Sequence, residues 1–499
     1  MILVLMIGVL LVGGLSCWLV AQRYPLMGRW IALIAVIIAF LLPVGWYIQH
    51  APGITAVGKN WLIDYQVNWI PAFGISFHLA MDGLSFILIL LTFLLGALSV
   101  LCSWNEIREK TGFYFFNLLW TLAGIAGVFV AMDLFLFYFF WEVMLVPMYF
   151  LIAIWGDFNR RYAAYKFFIF TQTGGLLMLL AILALYFIHG QQSGGQYTFD
   201  YFALLNTTFS NDVTARWIML GFLIAFVIKL PMVPLHNWLP DAHSEAPTAG
   251  SLILAGLLLK TGAYGIIRFV LPLFPEASAS IAWWAMLLGV VGIVYGALLA
   301  FAQTDLKRLI AYTSVSHMGF VLLGVFAFRE IALQGVVMQL LTHGVSTGAL
   351  FVLAGMLKER LHTRDINHMG GLWTAMPHMG ALAMVFVMAS LGLPFLGNFI
   401  AEFLILLGAF DVSPVLAIIA SAGLVLSALY SLRIMQKVFQ GQLQPISEQP
   451  RDLSVREWII MACLTAAIIF LGLYPQPVFD VVKGALITSY QLPVAGGFN

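Results

Sequence analysis

Fourteen stretches of roughly twenty apolar residues run through the chain, near 2–21, 30–48, 80–103, 112–131, 134–155, 164–189, 217–235, 246–271, 281–302, 309–328, 331–357, 376–410, 413–438 and 457–474. Each is long enough to cross the hydrocarbon core of a bilayer. Lipid offers the backbone no hydrogen bonds, so segments of this kind must satisfy their own amides and carbonyls as helices. The expected fold is an all-α polytopic membrane protein. Only 9% of the 499 residues are charged, against about 25% in a soluble domain. A net charge of +1 without a basic patch excludes nucleic-acid binding. Cys17, Cys102 and Cys463 are far apart, which suggests neither a metal cluster nor a disulfide framework. The first apolar segment begins at Met1 without a basic leader and reads as a retained helix.

The basic residues test this division independently. Sixteen of the 23 Lys and Arg residues fall in loops that follow odd-numbered stretches, Arg160, Arg161, Lys307 and Arg364 among them. Five lie on the even side (Lys59, Arg216, Arg268, Arg329 and Lys483), and Lys229 and Lys260 fall inside stretches. By the positive-inside rule the odd loops face the cytoplasm, and both termini face the opposite side. No linker long enough to separate soluble domains interrupts the pattern, so residues 1–499 read as one membrane domain.

Against this background four charges stand out: Glu142, Lys229, Lys260 and Glu402, joined by His317 and His343, all within apolar stretches. Each charge costs roughly 2.5–3.5 kcal/mol at the bilayer centre even on a gentle insertion scale. They must therefore face the protein interior, pair with one another, or line water. A lysine at the depth of Lys260 is about 15 Å from either interface and cannot easily snorkel. Lys229 opens a run holding Pro231, Pro234 and Pro240, which cannot continue an α-helix. Glu402 follows a second break, Gly392-Leu393-Pro394-Phe395-Leu396-Gly397. Two interrupted spans with an ionisable residue, in corresponding places of two halves, mark inverted-repeat transporters. The seventh and twelfth stretches are an odd number apart, so they run in opposite directions, as inversion requires. A lone histidine on an apolar helix is more often a satisfied core group than a relay. The imidazole's ordinary pKa near 6.5 nevertheless suits proton exchange, and the lysines and glutamates around His317 and His343 favour that role. His236 and His243 are seven apart with Pro240 between them, which does not make a metal pair.

The run from Lys229 through His243 to Ala246-Pro247-Thr248-Ala249-Gly250 resembles the antiporter-like subunits of respiratory complex I. So do Leu258-Leu259-Lys260-Thr261-Gly262-Ala263-Tyr264-Gly265 and Asp305-Leu306-Lys307-Arg308 through Ser316-His317-Met318-Gly319. The resemblance covers about 80–480. Asn398-Phe399-Ile400-Ala401-Glu402-Phe403 points to the M-type branch, because sibling subunits and Mrp-type antiporters generally carry lysine where Glu402 stands. A long lateral helix of the largest sibling is not expected after Tyr474-Pro475-Gln476-Pro477, where the chain soon ends.

This resemblance implies a fold of two inverted five-helix repeats with discontinuous helices 7 and 12. Residues 1–111 would hold helices 1–3, 112–271 the first repeat (helices 4–8), 272–440 the second (helices 9–13), and 441–499 helix 14 and the tail. It implies a proton-translocating subunit of NADH:quinone oxidoreductase in the bacterial inner (plasma) membrane. Glu142 and Lys229 would form a coupled pair, Lys260 the channel centre, His317 and His343 relay positions, and Glu402 the exchange site with the far side. No cofactor is expected on this chain; FMN, iron–sulfur clusters and quinone would sit on partner subunits. Those partners would include two antiporter-like siblings and a peripheral redox arm. A Mrp-type cation/proton antiporter subunit, or a membrane subunit of a related hydrogenase complex, is the alternative.

Overall fold

The computed structural model describes residues 1–57, 61–209, 211–444 and 450–490. Lys59 and the last residues, 491–499, lie outside the described residues. The chain begins with α1 (Ile2–Val20), α2 (Pro25–Val57), α3 (Gly83–Glu106), α4 (Thr111–Val130), α5 (Leu134–Trp155) and α6 (Arg160–Gln192). It continues with α7 (Asp212–Lys229), α8 (Trp238–Glu245), α9 (Thr248–Leu273), α10 (Pro275–Ala302), α11 (Leu306–Phe326) and α12 (Glu330–Leu361). The last five are α13 (Pro377–Ser390), α14 (Gly397–Phe410), α15 (Pro414–Phe439), α16 (Val455–Leu473) and α17 (Gln476–Tyr490). Twelve of these are long and apolar enough to cross a membrane. The interrupted stretches at 217–235 and 376–410 appear as the pairs α7–α8 and α13–α14, each split at its Pro/Gly run.

Aspartates start several helices. Asp82 accepts from the Ser85 amide at 2.9 Å, Asp133 from Leu136 at 3.1 Å and Asp305 from Arg308 at 3.0 Å, each pairing one orphan N–H of a first turn. The apolar stretches of α9 and α12 are wholly buried, whereas those of α1, α2 and α16 are only about a third buried. The centre therefore belongs to α9 and α12, and the outer helices carry exposed apolar surface. Small residues set the closest approaches. Between α10 and α11, a Cβ on Gly289 would sit 2.8 Å from the Gly319 carbonyl, and one on Gly319 would sit 2.6 Å from that of Gly289.

Two elements were not expected. Most of the interval between the second and third apolar stretches is taken up by an antiparallel hairpin, β1 (Trp61–Ile70) and β2 (Ile75–Asp82), turned at Pro71–Phe73 and Gly74, whose φ is +64°. Its ten-residue first strand is too short to register as a span. The helix expected from residue 80 starts at Gly83 because Asp82 caps it. Buried His78 pins the hairpin between Asp64 (2.9 Å) and Asp200 (2.5 Å). Burial opposes its protonation, but Asp200 and then Asp64 outweigh that and raise its pKa above the ordinary value. The second is α17, a helix of fifteen residues that begins just after the last apolar stretch and packs against α3 and α12.

Candidate functional site

Each break delivers one charge to the interior. Lys229 is the last residue of α7, where the carbonyl end of a helix favours a cation. The Trp238 indole N–H donates to the Ile228 carbonyl at 2.9 Å, so the break does not leave that acceptor bare. Lys229 is fully buried, and its Nζ lies 5.3 Å from the ring centres of Trp141 and Phe167 with no hydrogen-bond partner. Such contacts with aromatic faces partly replace hydration of an ammonium.

Glu142 adjoins Trp141 on α5 but is only half-buried. Trp141 takes the inward position, so the carboxylate points to the α6 side, 3.3 Å from the Gln172 amide and close against Gly175. Glu142 and Lys229 form no direct ion pair among the described residues; their charges interact at longer range.

Lys260 sits on α9 between two widened turns of π-helix, Leu254–Leu258 and Ile266–Val270. The Leu259 amide bonds the Leu254 carbonyl across the first of them, and the Ala255 carbonyl accepts from Lys260 Nζ. Nζ also lies 2.7 Å from Nδ1 of His343 on α12. The His343 ring meets that of His317, on α11, edge to face with centres 5.6 Å apart. His317 Nδ1 is 2.9 Å from Glu402 Oε1 on α14, and its Nε2 lies 3.3 Å from the Tyr430 hydroxyl and 3.4 Å from that of Ser390. Lys260, His343, His317 and Glu402 are each no more than 2% exposed. Glu402 Oε2 has no partner and faces Gly392, whose φ is +78°, at the second break.

Four of the six residues singled out thus make one line, with Lys229 and Glu142 on a separate flank. Sequence reading passed over Gln339, 3.4 Å from His317 Nδ1, and over Ser390 and Tyr430. Neutral polar residues are too common in membrane helices to stand out. It also set His243 aside. That ring is fully buried, stacks on Phe351 at 4.6 Å and has neither nitrogen bonded. His236 packs instead against Tyr295 and Tyr312, so the two histidines have different surroundings.

Comparison with known proteins places the chain in a family. The family described as NADH:quinone oxidoreductase/Mrp antiporter, TM, matches residues 131–428. NADH-quinone oxidoreductase subunit M of Pseudomonas aeruginosa is 53% identical, with 97% of each chain covered. A chain of respiratory complex I from Thermus thermophilus superposes with a TM-score of 0.86 at 31% identity, over 99% of both chains. A chain of the Mrp complex from a Dietzia species reaches 0.85 over 98% of both, but at 21% identity it shares only the fold. The chain belongs to the antiporter-like membrane subunits of respiratory complex I, in their M-type branch.

Proposed function

We propose that this chain carries protons across the bacterial inner membrane through Glu142, Lys229, Lys260, His343, His317 and Glu402, driven by quinone reduction elsewhere in the complex. The observation that carries this reading is the row of buried titratable groups from Lys260 Nζ to His343, across a ring-to-ring contact to His317 and on to Glu402, inside a bundle whose central helices are mostly apolar. Groups so costly to bury are kept where a proton or ion must pass.

The chemistry follows from the donors and acceptors. An ammonium at Lys260 donates to His343 Nδ1, and the proton leaves the imidazole from Nε2, which has no partner holding it. Ring rotation or one bridging water carries it to His317, whose Nδ1 faces the Glu402 carboxylate. The free oxygen of Glu402, at the Gly392 break, hands it to the far-side water. Upstream, the field of Glu142 stabilises the charge on Lys229; neutralising or displacing Glu142 releases that proton inward. Two antiporter-like siblings accompany this chain, and a peripheral arm holding FMN and iron–sulfur clusters delivers the electrons for the quinone reduction that drives it. Residues 112–271 and 272–440 act as the two inverted repeats, each with one broken helix.

The test is the assembled complex in proteoliposomes with His317→Gln or His343→Gln. Glutamine keeps hydrogen bonding but removes the titrating ring. Acidification coupled to quinone reduction should fall strongly in both; wild-type acidification in both would overturn the path.

A further inference from the structure

Just beyond the C-terminal end of α12, one guanidinium gathers three carboxylates from three parts of the chain. Arg364, just beyond α12, lies with Nη1 3.0 Å from Asp157 Oδ2, Nη2 3.4 Å from Glu245 Oε1 and Nε 3.1 Å from Asp305 Oδ2. It also donates to the Ser244 carbonyl. The same spot is laced by backbone bonds: Asp157 N to Glu245 O at 2.8 Å, Leu306 N to Arg364 O at 2.9 Å and Ile366 N to Thr304 O at 2.9 Å. Two lysines complete the charge balance. Lys358, in the last turn of α12, pairs with Asp157, and buried Lys307 donates to the Ala246 carbonyl at 2.7 Å.

The elements joined here are those that carry the titrating residues. Asp157 follows α5, the helix of Glu142. Glu245 ends α8, the segment that begins after the Lys229 break and holds His243. Asp305 caps α11, the helix of His317, and Lys358 ends α12, the helix of His343. Arginine suits this place because its rigid fork presents five N–H donors at once, whereas lysine offers a single compact charge. The pairs are half-sheltered, with Arg364 22% and Glu245 9% exposed.

We propose that Arg364 is a positioning residue that clasps the Glu142 helix to the His317 and His343 helices, so that a shift of α5 reaches the Lys260–Glu402 line through it. This rests on the proton path proposed above and adds how its two flanks are kept in step. Helix α5 has no polar contact with His343 or Glu402 among the described residues, and Asp157 gives it a charged tie to α12 through both Lys358 and Arg364.

Asp157→Asn is the sharpest variant, since it weakens the tie to α5 while the Asp157 amide still bonds Glu245 and Arg364 still holds Glu245 and Asp305. Arg364→Gln and Arg364→Lys accompany it. Quinone reductase turnover is measured per assembled complex, normalised to bound flavin, together with acidification in proteoliposomes. We expect assembly to be retained and turnover to fall roughly 2- to 30-fold, the range that coupling residues span. The quinone KM should not change, and Arg364→Lys should lie between wild type and Arg364→Gln. Glu142→Gln in the same membranes separates the two ideas. If it stalls while Asp157→Asn and Arg364→Gln run at wild-type turnover per flavin, the clasp is overturned and the path stands. If Glu142→Gln itself pumps normally, the path is what fails. A loss confined to assembly, with normal turnover in what assembles, also overturns the clasp.

Discussion

Lys260 and His343 are 83 residues apart in sequence, yet Nζ of one lies 2.7 Å from Nδ1 of the other in a fully buried site. Both nitrogens have an affinity for the same proton, and that proton can lie on only one of them. The shared proton makes the contact between α9 and α12 depend on protonation in a way that packing of methyl groups never does. It also fixes what each neighbour must do, from which the following outcomes are expected.

Glu142→Gln keeps the bond to Gln172 and removes the negative charge seen by Lys229. A charge interaction beyond ion-pair range, at an effective dielectric of about 20, is on the order of 2 kcal/mol. Coupled quinone reduction and acidification should fall roughly 30-fold with normal assembly. Near-native pumping by this variant would remove Glu142 from the mechanism.

Glu402 should rank its replacements. Aspartate keeps the charge and loses one methylene of reach toward His317. Lysine restores a titrating group, but its cation meets His317, His343 and Lys260 in one low-dielectric chamber and disfavours their charged forms. Glutamine cannot titrate. Proton pumping in vesicles should follow the order Asp, Lys, Gln, with the lysine variant showing a shifted pH dependence. Wild-type activity of the glutamine variant would move the exit elsewhere.

His78 makes the hairpin sensitive to pH. Its folded pKa is raised, so the stabilisation by Asp200 and Asp64 is full below the unfolded value of about 6.5 and is lost as pH rises through the folded value. Protection of the amides of residues 61–82, taken relative to their intrinsic base-catalysed exchange rates, should fall on going from mildly acidic to alkaline pH. His78→Gln should show low protection at every pH; pH-independent protection in the wild type would refute the role of His78.

The buried pair of Arg268 and Asp82 should be structural. Arg268 also lies 4.8 Å from the Trp61 ring and 5.5 Å from that of Tyr264. Asp82→Asn leaves an uncompensated buried guanidinium and removes the charged cap of α3, a loss of about 3–5 kcal/mol. The amount of assembled complex should drop, while turnover of the assembled fraction stays normal. Equal assembly would show that the pair contributes nothing.

Topology gives a further test. Cysteine labelling should find the Arg160–Arg161 loop on the cytoplasmic face and both termini outside. A C-terminus on the cytoplasmic face would mean an odd number of crossings.

The site was legible in the sequence to the extent that lipid makes charge expensive. Glu142, Lys229, Lys260 and Glu402 stood out because nothing in an apolar span excuses them, and Pro231, Pro234, Gly392 and Pro394 marked where the helices part. What sequence could not carry was set by distant contacts. Nothing local says that Trp141 rather than Glu142 points inward, or that Tyr430 and Ser390 converge on His317. The hairpin escaped notice because its short strands lie in a region too polar for a span. The Arg364 cluster draws on loops up to 207 residues apart, and each member alone reads as an ordinary basic or acidic loop residue.

The widened turn at Leu254–Leu258 has one more consequence. In an ordinary α-helix the Ala255 carbonyl would be taken by the Leu259 amide; here that amide reaches back to Leu254, and the lysine ammonium takes the oxygen instead. Half of the immediate polar environment of Lys260 is therefore written in backbone register and not in side chains. Alanine or glutamine scanning leaves that oxygen in place at every position it visits. Only removing one residue from the turn would erase it, and the same deletion would swing Lys260 by about 100° away from His343.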